Sequence, residues 1–157
     1  MADNKIKSRA SKYITSMLLI SFYILSISPG PLFANEKCPQ KRKTPGAPNK
    51  YLTLKNPLPP STSTLKSGKN LFQNQAKPIA CKTCHGITGN GKGDPDFEST
   101  PPARNFTCAK FMGALPDGQL FWIIRNGSPA TSMFAYSDLS DDQIWQMIHY
   151  IRQFSKN

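Results

Sequence analysis

Three residues that lie close together in the sequence could jointly hold a cofactor: Cys81, Cys84 and His85. They belong to the run Cys-Lys-Thr-Cys-His, and Cys-x-x-Cys-His is the pattern typical of covalent attachment of a c-type haem. Each thiol can add to one vinyl group of the same porphyrin, and the adjacent histidine can bind the iron from one side. The sequence therefore predicts one covalently bound haem c, held by these three residues.

A Cys-x-x-Cys pair also occurs in redox-active dithiols and in zinc sites. A structural zinc site needs a second close pair of Cys or His ligands. The other candidates, Cys38, Cys108 and His149, lie far apart in the sequence. The five-residue pattern fits haem attachment better than either alternative.

The N-terminus has the order of a secretory signal: basic residues, an apolar run over residues 13–27, then a break and small residues up to Ala34. Cleavage after Ala34 is the preferred prediction. The apolar run is shorter than the ~20 residues that a spanning helix needs, so an uncleaved membrane anchor is the second interpretation. Export also agrees with covalent haem attachment and tolerates the two remaining cysteines. We therefore expect residues 1–34 to be a signal peptide and the mature protein to be periplasmic or otherwise extracytoplasmic.

Without residues 1–34, 123 residues remain, enough for one domain with a modest core. The whole chain has a formal charge of +11. The excess is uneven, because residues 35–92 contain eleven Lys or Arg and one acid, whereas residues 93–157 contain five and seven. A basic face can steer acidic protein partners. An exported protein rarely meets nucleic acid, so nucleic-acid binding is not expected.

Residues 35–60 differ in composition from the rest of the chain, with six prolines between Cys38 and Pro60 and a basic cluster at 41–43. Such a segment is typical of an extended arm without regular structure. We expect it to be a spacer from the membrane or a strap that contacts a partner subunit, with residues 51–54 able to pin part of it to the domain.

Helical patterns begin after the arm. Ser63 or Thr64 can cap a first helix that extends to about Gln75, and Gly68 within it would allow close helix contact. A second helix is predicted to open at Asp117 and to end near Gly127. Residues 140–143 form a capping box before a last helix with an apolar stripe. No alternating run is long enough for a strand, so a mostly α fold is expected.

Taken together, residues 61–154 resemble a class I monohaem cytochrome c. The resemblance rests on Gly68-x-x-x-Phe72, the Cys-x-x-Cys-His-Gly run, the glycine-rich loop 89–94, the segment 132–136 around Met133 and the final amphipathic helix. It implies a class I cytochrome c domain over residues 61–157, with a few helices around one covalent haem. It also implies that the first and last helices cross beside the haem, with Gly68 and Phe72 against Tyr150 or Trp145.

Two residues compete for the second axial position on the iron. Family position points to Met133, although Phe134 follows it where the family usually has proline. Cys108 is the rival, because a thiol near ferric iron readily loses its proton and binds. A disulfide between Cys108 and Cys38 is the third interpretation, which the even cysteine count and export favour.

Other residues are weaker candidates. His149 is expected to be a packed or half-exposed histidine, and Met112 and Met147 are expected to fill gaps in the core. Arg104 and Arg125 could pair with haem propionates, since a guanidinium forks onto a carboxylate, or could lie on the surface.

These features together predict a periplasmic one-electron carrier with acidic redox partners, not an enzyme, which could be a subunit of a larger redox complex. The alternative is a gas-binding or sensory cytochrome in which Cys108 is the distal ligand. A membrane association is expected only if the signal remains uncleaved.

Overall fold

The computed structural model of the chain describes residues 38, 40 and 44–156. Their regular elements are helices, in chain order α1 (Asn49–Leu52), α2 (Thr62–Asn70), α3 (Lys82–His85), α4 (Ala109–Ala114), α5 (Asp117–Asn126) and α6 (Asp141–Gln153). A single π turn, Leu71–Gln75, continues α2. The described part of the chain contains no strand, which confirms the predicted mostly α fold.

The helix ends follow local capping chemistry. Ser61, rather than Ser63 or Thr64, caps α2, and its hydroxyl accepts a hydrogen bond from the Thr64 amide. Helix α5 ends at Gly127, whose φ of 73° favours glycine. Helix α6 begins with the predicted capping box, in which Ser140 and Gln143 satisfy each other's backbone amides. The three long helices therefore begin and end close to where the sequence predicts.

The main helix contact in the fold is the crossing of α2 and α6. It depends on Gly68, because a Cβ at that position would overlap the backbone carbonyl of Gln146. Beside it, the Phe72 ring meets the Tyr150 ring edge to face, with 5.5 Å between centroids. The predicted crossing is confirmed with Tyr150 as the aromatic partner. Trp145 instead stacks on Phe121 of α5.

The core lies between these helices and continues into the wall of a cavity described below. Its buried members are Leu71, Phe72, Ala76, Phe106, Met112, Leu120, Phe121, Ile123, Ile124, Tyr136, Leu139, Ile144, Trp145, Met147, Ile148 and Ile151. Arg152 joins the last turn of α6 to the start of α5 and the end of α4, since it pairs with Asp117 and donates to the carbonyls of Met112 and Leu115.

The arm does not extend away from the domain. Its described residues belong to the same compact unit as the helices, and part of it forms α1, which packs on α5. Gly118 of α5 permits this contact, because a Cβ there would overlap the Tyr51 carbonyl. Further along, Asn56 donates to the Trp145 carbonyl at 2.8 Å. Apart from α1, the described part of the arm has no regular structure, as expected, and it lies as a strap over its own domain. The prediction that residues 51–54 can pin it there is confirmed, since the Tyr51 ring stacks on Phe121.

Candidate functional site

Cys81, Cys84 and His85 lie together on one short helical turn. The His85 amide donates to the Cys81 carbonyl at 2.9 Å, so the three side chains have i, i+3 and i+4 spacing and share one face. The turn ends at Gly86, whose φ of 76° is a conformation that side-chain-bearing residues rarely adopt. This turn directs both sulfur atoms and the imidazole toward the same cavity.

The imidazole of His85 has a defined tautomer. Its Nδ1 lies 3.0 Å from the backbone carbonyl oxygen of Arg104. A carbonyl can only accept, so Nδ1 carries the proton and donates, and Nε2 presents its lone pair. This arrangement orients a histidine that binds a metal through Nε2 and increases the basicity of that nitrogen.

Phe106 and the glycine-rich loop hold the ring in place. The His85 and Phe106 rings stack with centroids 4.4 Å apart and an interplanar angle of 15°. The loop bonds to both residues, because the Gly91 amide donates to the His85 carbonyl and the Phe106 amide donates to the Gly89 carbonyl. Gly89 and Gly91 have φ values of 70° and 80°, so the loop needs glycine at both positions.

The cavity in front of the turn opens to solvent, and about 1080 Å³ of empty space, open solvent included, lies before its walls. Its walls are mostly apolar and come from the turn, from the segment 99–106, from α5 and α6 and from the loop between them. The lining residues include Phe72, Ile79, Cys81, Cys84, His85, Arg104, Phe106, Leu120, Ile123, Ile124, Met133, Tyr136, Met147 and Ile151.

The two thiols, both on partly buried side chains, do not have the lowered pKa values of a reactive dithiol. Burial raises the pKa of Cys81 to about 12 and also raises the pKa of Cys84. Redox-active Cys-x-x-Cys sites instead have lowered thiol pKa values. Among the described residues, no group of three or more His, Cys, Asp and Glu side chains is placed to hold a metal ion alone. Both observations argue against the dithiol and zinc interpretations.

Met133 lines the same cavity as His85. It lies in the loop between α5 and α6, where its carbonyl accepts from the Ser128 amide at 3.1 Å and its amide donates to the Thr131 hydroxyl at 3.1 Å. These bonds shape the loop without the proline that the family usually has after the methionine. Phe134, which stands there, is 46% exposed. The loop thus brings a thioether to the cavity that holds the imidazole.

Cys108 is not available as an axial ligand in this structure. It forms a disulfide with Cys38, with 5.6 Å between the Cα atoms, and it does not belong to the cavity lining. A disulfide sulfur has no proton to lose and supplies no thiolate. The interpretation of Cys108 as distal ligand is corrected here in favour of the pairing with Cys38.

The weaker candidates divide between the cavity and the core. Arg104 lines the cavity, whereas Arg125 binds the Ser137 and Leu139 carbonyls and pairs with Asp141. His149 contacts the Leu58 carbonyl through Nε2 at 2.7 Å and so helps to hold the arm. Of the two remaining methionines, Met112 is fully buried in the core. The other, Met147, lines the cavity, and its sulfur lies 3.5 Å from that of Cys81.

Sequence patterns did not reveal two contributors to this site. The Arg104 carbonyl that orients His85 is a backbone atom, so no residue type signals it. Tyr136 donates from its hydroxyl to the Ile79 carbonyl at 2.8 Å, just before the cysteine turn. The sequence signal for Tyr136 was its position three residues after Met133, and the structure places both residues on the cavity wall.

Comparisons with known proteins agree with this geometry. The family model described as cytochrome C oxidase, cbb3-type, subunit III matches residues 63–151. A solved structure, the reducing HAO-like protein complex of Kuenenia stuttgartiensis, is similar with a TM-score of 0.52 and 27% sequence identity, covering 66% of this chain and 48% of that one. The chain thus spans about half the length of this solved relative. No curated protein matches the sequence.

The donor set fits the cofactor that the family implies. Two thiols, an imidazole with its proton on Nδ1 and a thioether all face one largely apolar cavity. Thioether bonds to two cysteines together with histidine and methionine ligation are the attachment found in c-type cytochromes.

Proposed function

Because the chain belongs to the family of c-type cytochrome domains described as cytochrome C oxidase, cbb3-type, subunit III, we propose that it carries single electrons through one covalently bound haem c. The observation that supports this most directly is the cavity shared by Cys81, Cys84, His85 and Met133. Haem c supplies a couple between ferric and ferrous iron, and the protein sets its potential and access. The proposal assigns Cys81 and Cys84 to attachment and His85 and Met133 to the iron.

The residues around the cavity suit electron transfer better than substrate chemistry. His85 is held by a hydrogen bond on one ring edge and a stacked phenyl group on its face. The backbone of Met133 is held by two hydrogen bonds within its loop, one to the Ser128 amide and one to the Thr131 hydroxyl. With His85 and Met133 on the iron, both axial positions would be filled and neither would be open to a substrate. We therefore propose a carrier and not an enzyme.

We propose that the protein works outside the cytoplasm. The N-terminal signal pattern, which lies outside the described residues, supports this. The Cys38–Cys108 disulfide supports it as well, since such bonds persist in oxidising compartments. Within the described residues no helix is both long and apolar enough to cross a membrane. Intact-mass analysis of the exported protein tests the location, and a mature chain beginning at Asn35 is the expected result.

Its partners are proposed to be redox proteins with acidic docking surfaces. The eleven basic residues between positions 35 and 92 include Lys77 and Lys82 beside the cysteine turn. The solved relative is a protein complex, which supports a place as a subunit of a larger redox assembly. Electron transfer to an acidic partner should slow as ionic strength rises, because salt screens exposed charges.

The alternative of a gas-binding or sensory cytochrome required Cys108 on the iron. With Cys108 in a disulfide, that function has no ligand to support it in this structure. It is not proposed.

The decisive experiment is production of the full chain in a bacterial host that matures c-type cytochromes. We expect haem stain to remain on the polypeptide in a denaturing gel, and a reversible one-electron redox titration. The double variant Cys81→Ala/Cys84→Ala should lose the stain, whereas the matched double variant Cys38→Ala/Cys108→Ala should keep it. Stain that survives loss of Cys81 and Cys84 would overturn the proposal.

A further inference from the structure

We infer that Gln40, in the N-terminal arm, is a positioning residue for His85 and acts on it through the segment 103–105. The inference rests on the proposed function, because it assumes that His85 binds iron. It gives the arm a role at the cofactor, in addition to covering its own domain.

The side-chain amide of Gln40 forms two hydrogen bonds to the backbone of this segment. Its Nε2 donates to the Ala103 carbonyl at 3.1 Å, and its Oε1 accepts from the Asn105 amide at 2.9 Å. Gln40 therefore binds the backbone on both sides of Arg104. All three residues of the segment are buried, so these backbone groups depend on protein partners where water has little access.

Arg104 lies between these two backbone groups, and its carbonyl accepts the hydrogen bond from His85. The Arg104 carbonyl lies 3.0 Å from His85 Nδ1. The arm holds the side chain of the same residue, because Arg104 Nη2 donates to the Thr44 hydroxyl at 2.6 Å. Its guanidinium also lies over the Phe111 ring, 4.2 Å from the centroid. The position of this carbonyl is thus set by contacts from the arm as well as from the domain.

Gln40 is itself fixed from both directions along the arm. Two residues before it, Cys38 is bonded to Cys108, which lies three residues after the segment 103–105. After it, Gln119 of α5 accepts from the Ala47 amide at 2.8 Å and donates to the Pro45 carbonyl at 3.1 Å. A side chain anchored in this way can resist displacement of the Arg104 peptide.

The chemical consequence follows from the role of the Nδ1 proton. A strong hydrogen bond from Nδ1 increases the basicity of Nε2, and a more basic ligand stabilises ferric iron. If the Arg104 carbonyl is less well held, that bond weakens and the ferric state loses stabilisation. Loss of the Gln40 bonds should therefore raise the midpoint potential.

The test compares Gln40→Met with Asn56→Ala in the haem-loaded full chain. Gln40→Met keeps the length of the side chain and removes both hydrogen bonds. Asn56→Ala removes a different arm contact, the bond to the Trp145 carbonyl, and is the control for a purely structural tether. The measurements are the midpoint potential and, in the ferrous protein by NMR, the exchange rate of the His85 Nδ1 proton with solvent.

We expect Gln40→Met to raise the potential and to speed exchange of the Nδ1 proton about fivefold, the factor that corresponds to one neutral hydrogen bond. Asn56→Ala should change neither. The same potential and exchange rate in Gln40→Met as in the unsubstituted protein would overturn the inference, even if both variants melt at lower temperature.

Gln40→Asn serves as a second variant if Gln40→Met does not mature. The Asn side chain keeps the amide group but is one methylene shorter, so it cannot make both hydrogen bonds. The midpoint potential should again rise, and exchange of the Nδ1 proton should again be faster. A protein that matures and binds haem but shows neither shift in this variant contradicts the inference alone. If the unsubstituted chain itself binds no haem, the proposed function is contradicted instead.

Discussion

The sulfur atoms of Cys38 and Cys108 are bonded to each other, although 70 residues separate them in the sequence. The bond closes a loop that contains the arm, α2, the cysteine turn and the glycine-rich loop. One covalent link therefore encloses most of the residues proposed to attach the haem.

Removal of this link by the double variant Cys38→Ser/Cys108→Ser should destabilise the protein by about 4 kcal/mol, the chain-entropy value for a loop of this length. Urea unfolding of the holoprotein measures the loss. The ferric absorption spectrum should keep the same ligand type, because Cys108 is not on the iron. A spectrum that changes from thiolate to another type would contradict the structure.

The assignment of Met133 can be separated from that of Met147, since both methionines line the cavity. Leucine replaces methionine with little change in volume, so either variant should fold. Met133→Leu should lower the midpoint potential and allow carbon monoxide to bind the ferrous protein, whereas Met147→Leu should do neither. Axial ligands move haem potentials over a range of about 0.8 V, so the shift should be large. Carbon monoxide binding in the Met147 variant alone would reverse the assignment.

The helix crossing makes opposite predictions for two helical glycines. Gly68→Ala places a Cβ against the Gln146 carbonyl and should cost about 1–3 kcal/mol, as overpacking does. Gly113→Ala meets nothing within 4 Å and should stabilise α4 by about 0.5–1 kcal/mol. Thermal unfolding of both variants gives the comparison. Equal effects would show that α2 and α6 do not pack closely at Gly68.

Tyr136 should make stability depend on alkaline pH. Burial is the main cause that raises its pKa above the ordinary value of 10.0. Above that pH the unfolded chain loses the phenol proton while the folded protein keeps it, so the free energy of unfolding falls as pH rises. The contribution is complete below pH 10 and is lost as pH climbs toward the raised value.

The variant Tyr136→Phe should be less stable by about 1 kcal/mol at neutral pH, because it loses the hydrogen bond to the Ile79 carbonyl. Above pH 10, its free energy of unfolding should fall less steeply than that of the unsubstituted protein. Urea unfolding between pH 7 and pH 11 measures both effects. Parallel curves for the variant and the unsubstituted protein would show that Tyr136 does not carry the dependence.

The sequence was most informative where the determinants are local. The capping box at Ser140 and the glycine after α5 are short patterns with a direct structural meaning, and the structure has both. The turn from Cys81 to His85 is equally local, because i, i+3 and i+4 spacing places three side chains on one face. The close approach at Gly68 was predicted from a single glycine in a helical pattern.

The sequence was least informative where distant segments meet. The Arg104 carbonyl bonds to His85 across 19 residues, and a carbonyl is common to every residue. The arm has a composition typical of an extended segment, yet its contacts with α5 and α6 depend on Gln119 and on the Trp145 carbonyl. Cysteine count alone could not choose between a disulfide and an iron ligand for Cys108.

The stack of His85 on Phe106 continues to the end of the last helix, since the Phe106 and Phe154 rings are nearly parallel, with centroids 6.5 Å apart. Phe154 is the C-cap of α6, and helix ends are where a folded chain opens most readily. Only one phenyl ring separates the imidazole from that final turn. A substitution that changes the packing of Phe154 would therefore reach the face of the imidazole through Phe106.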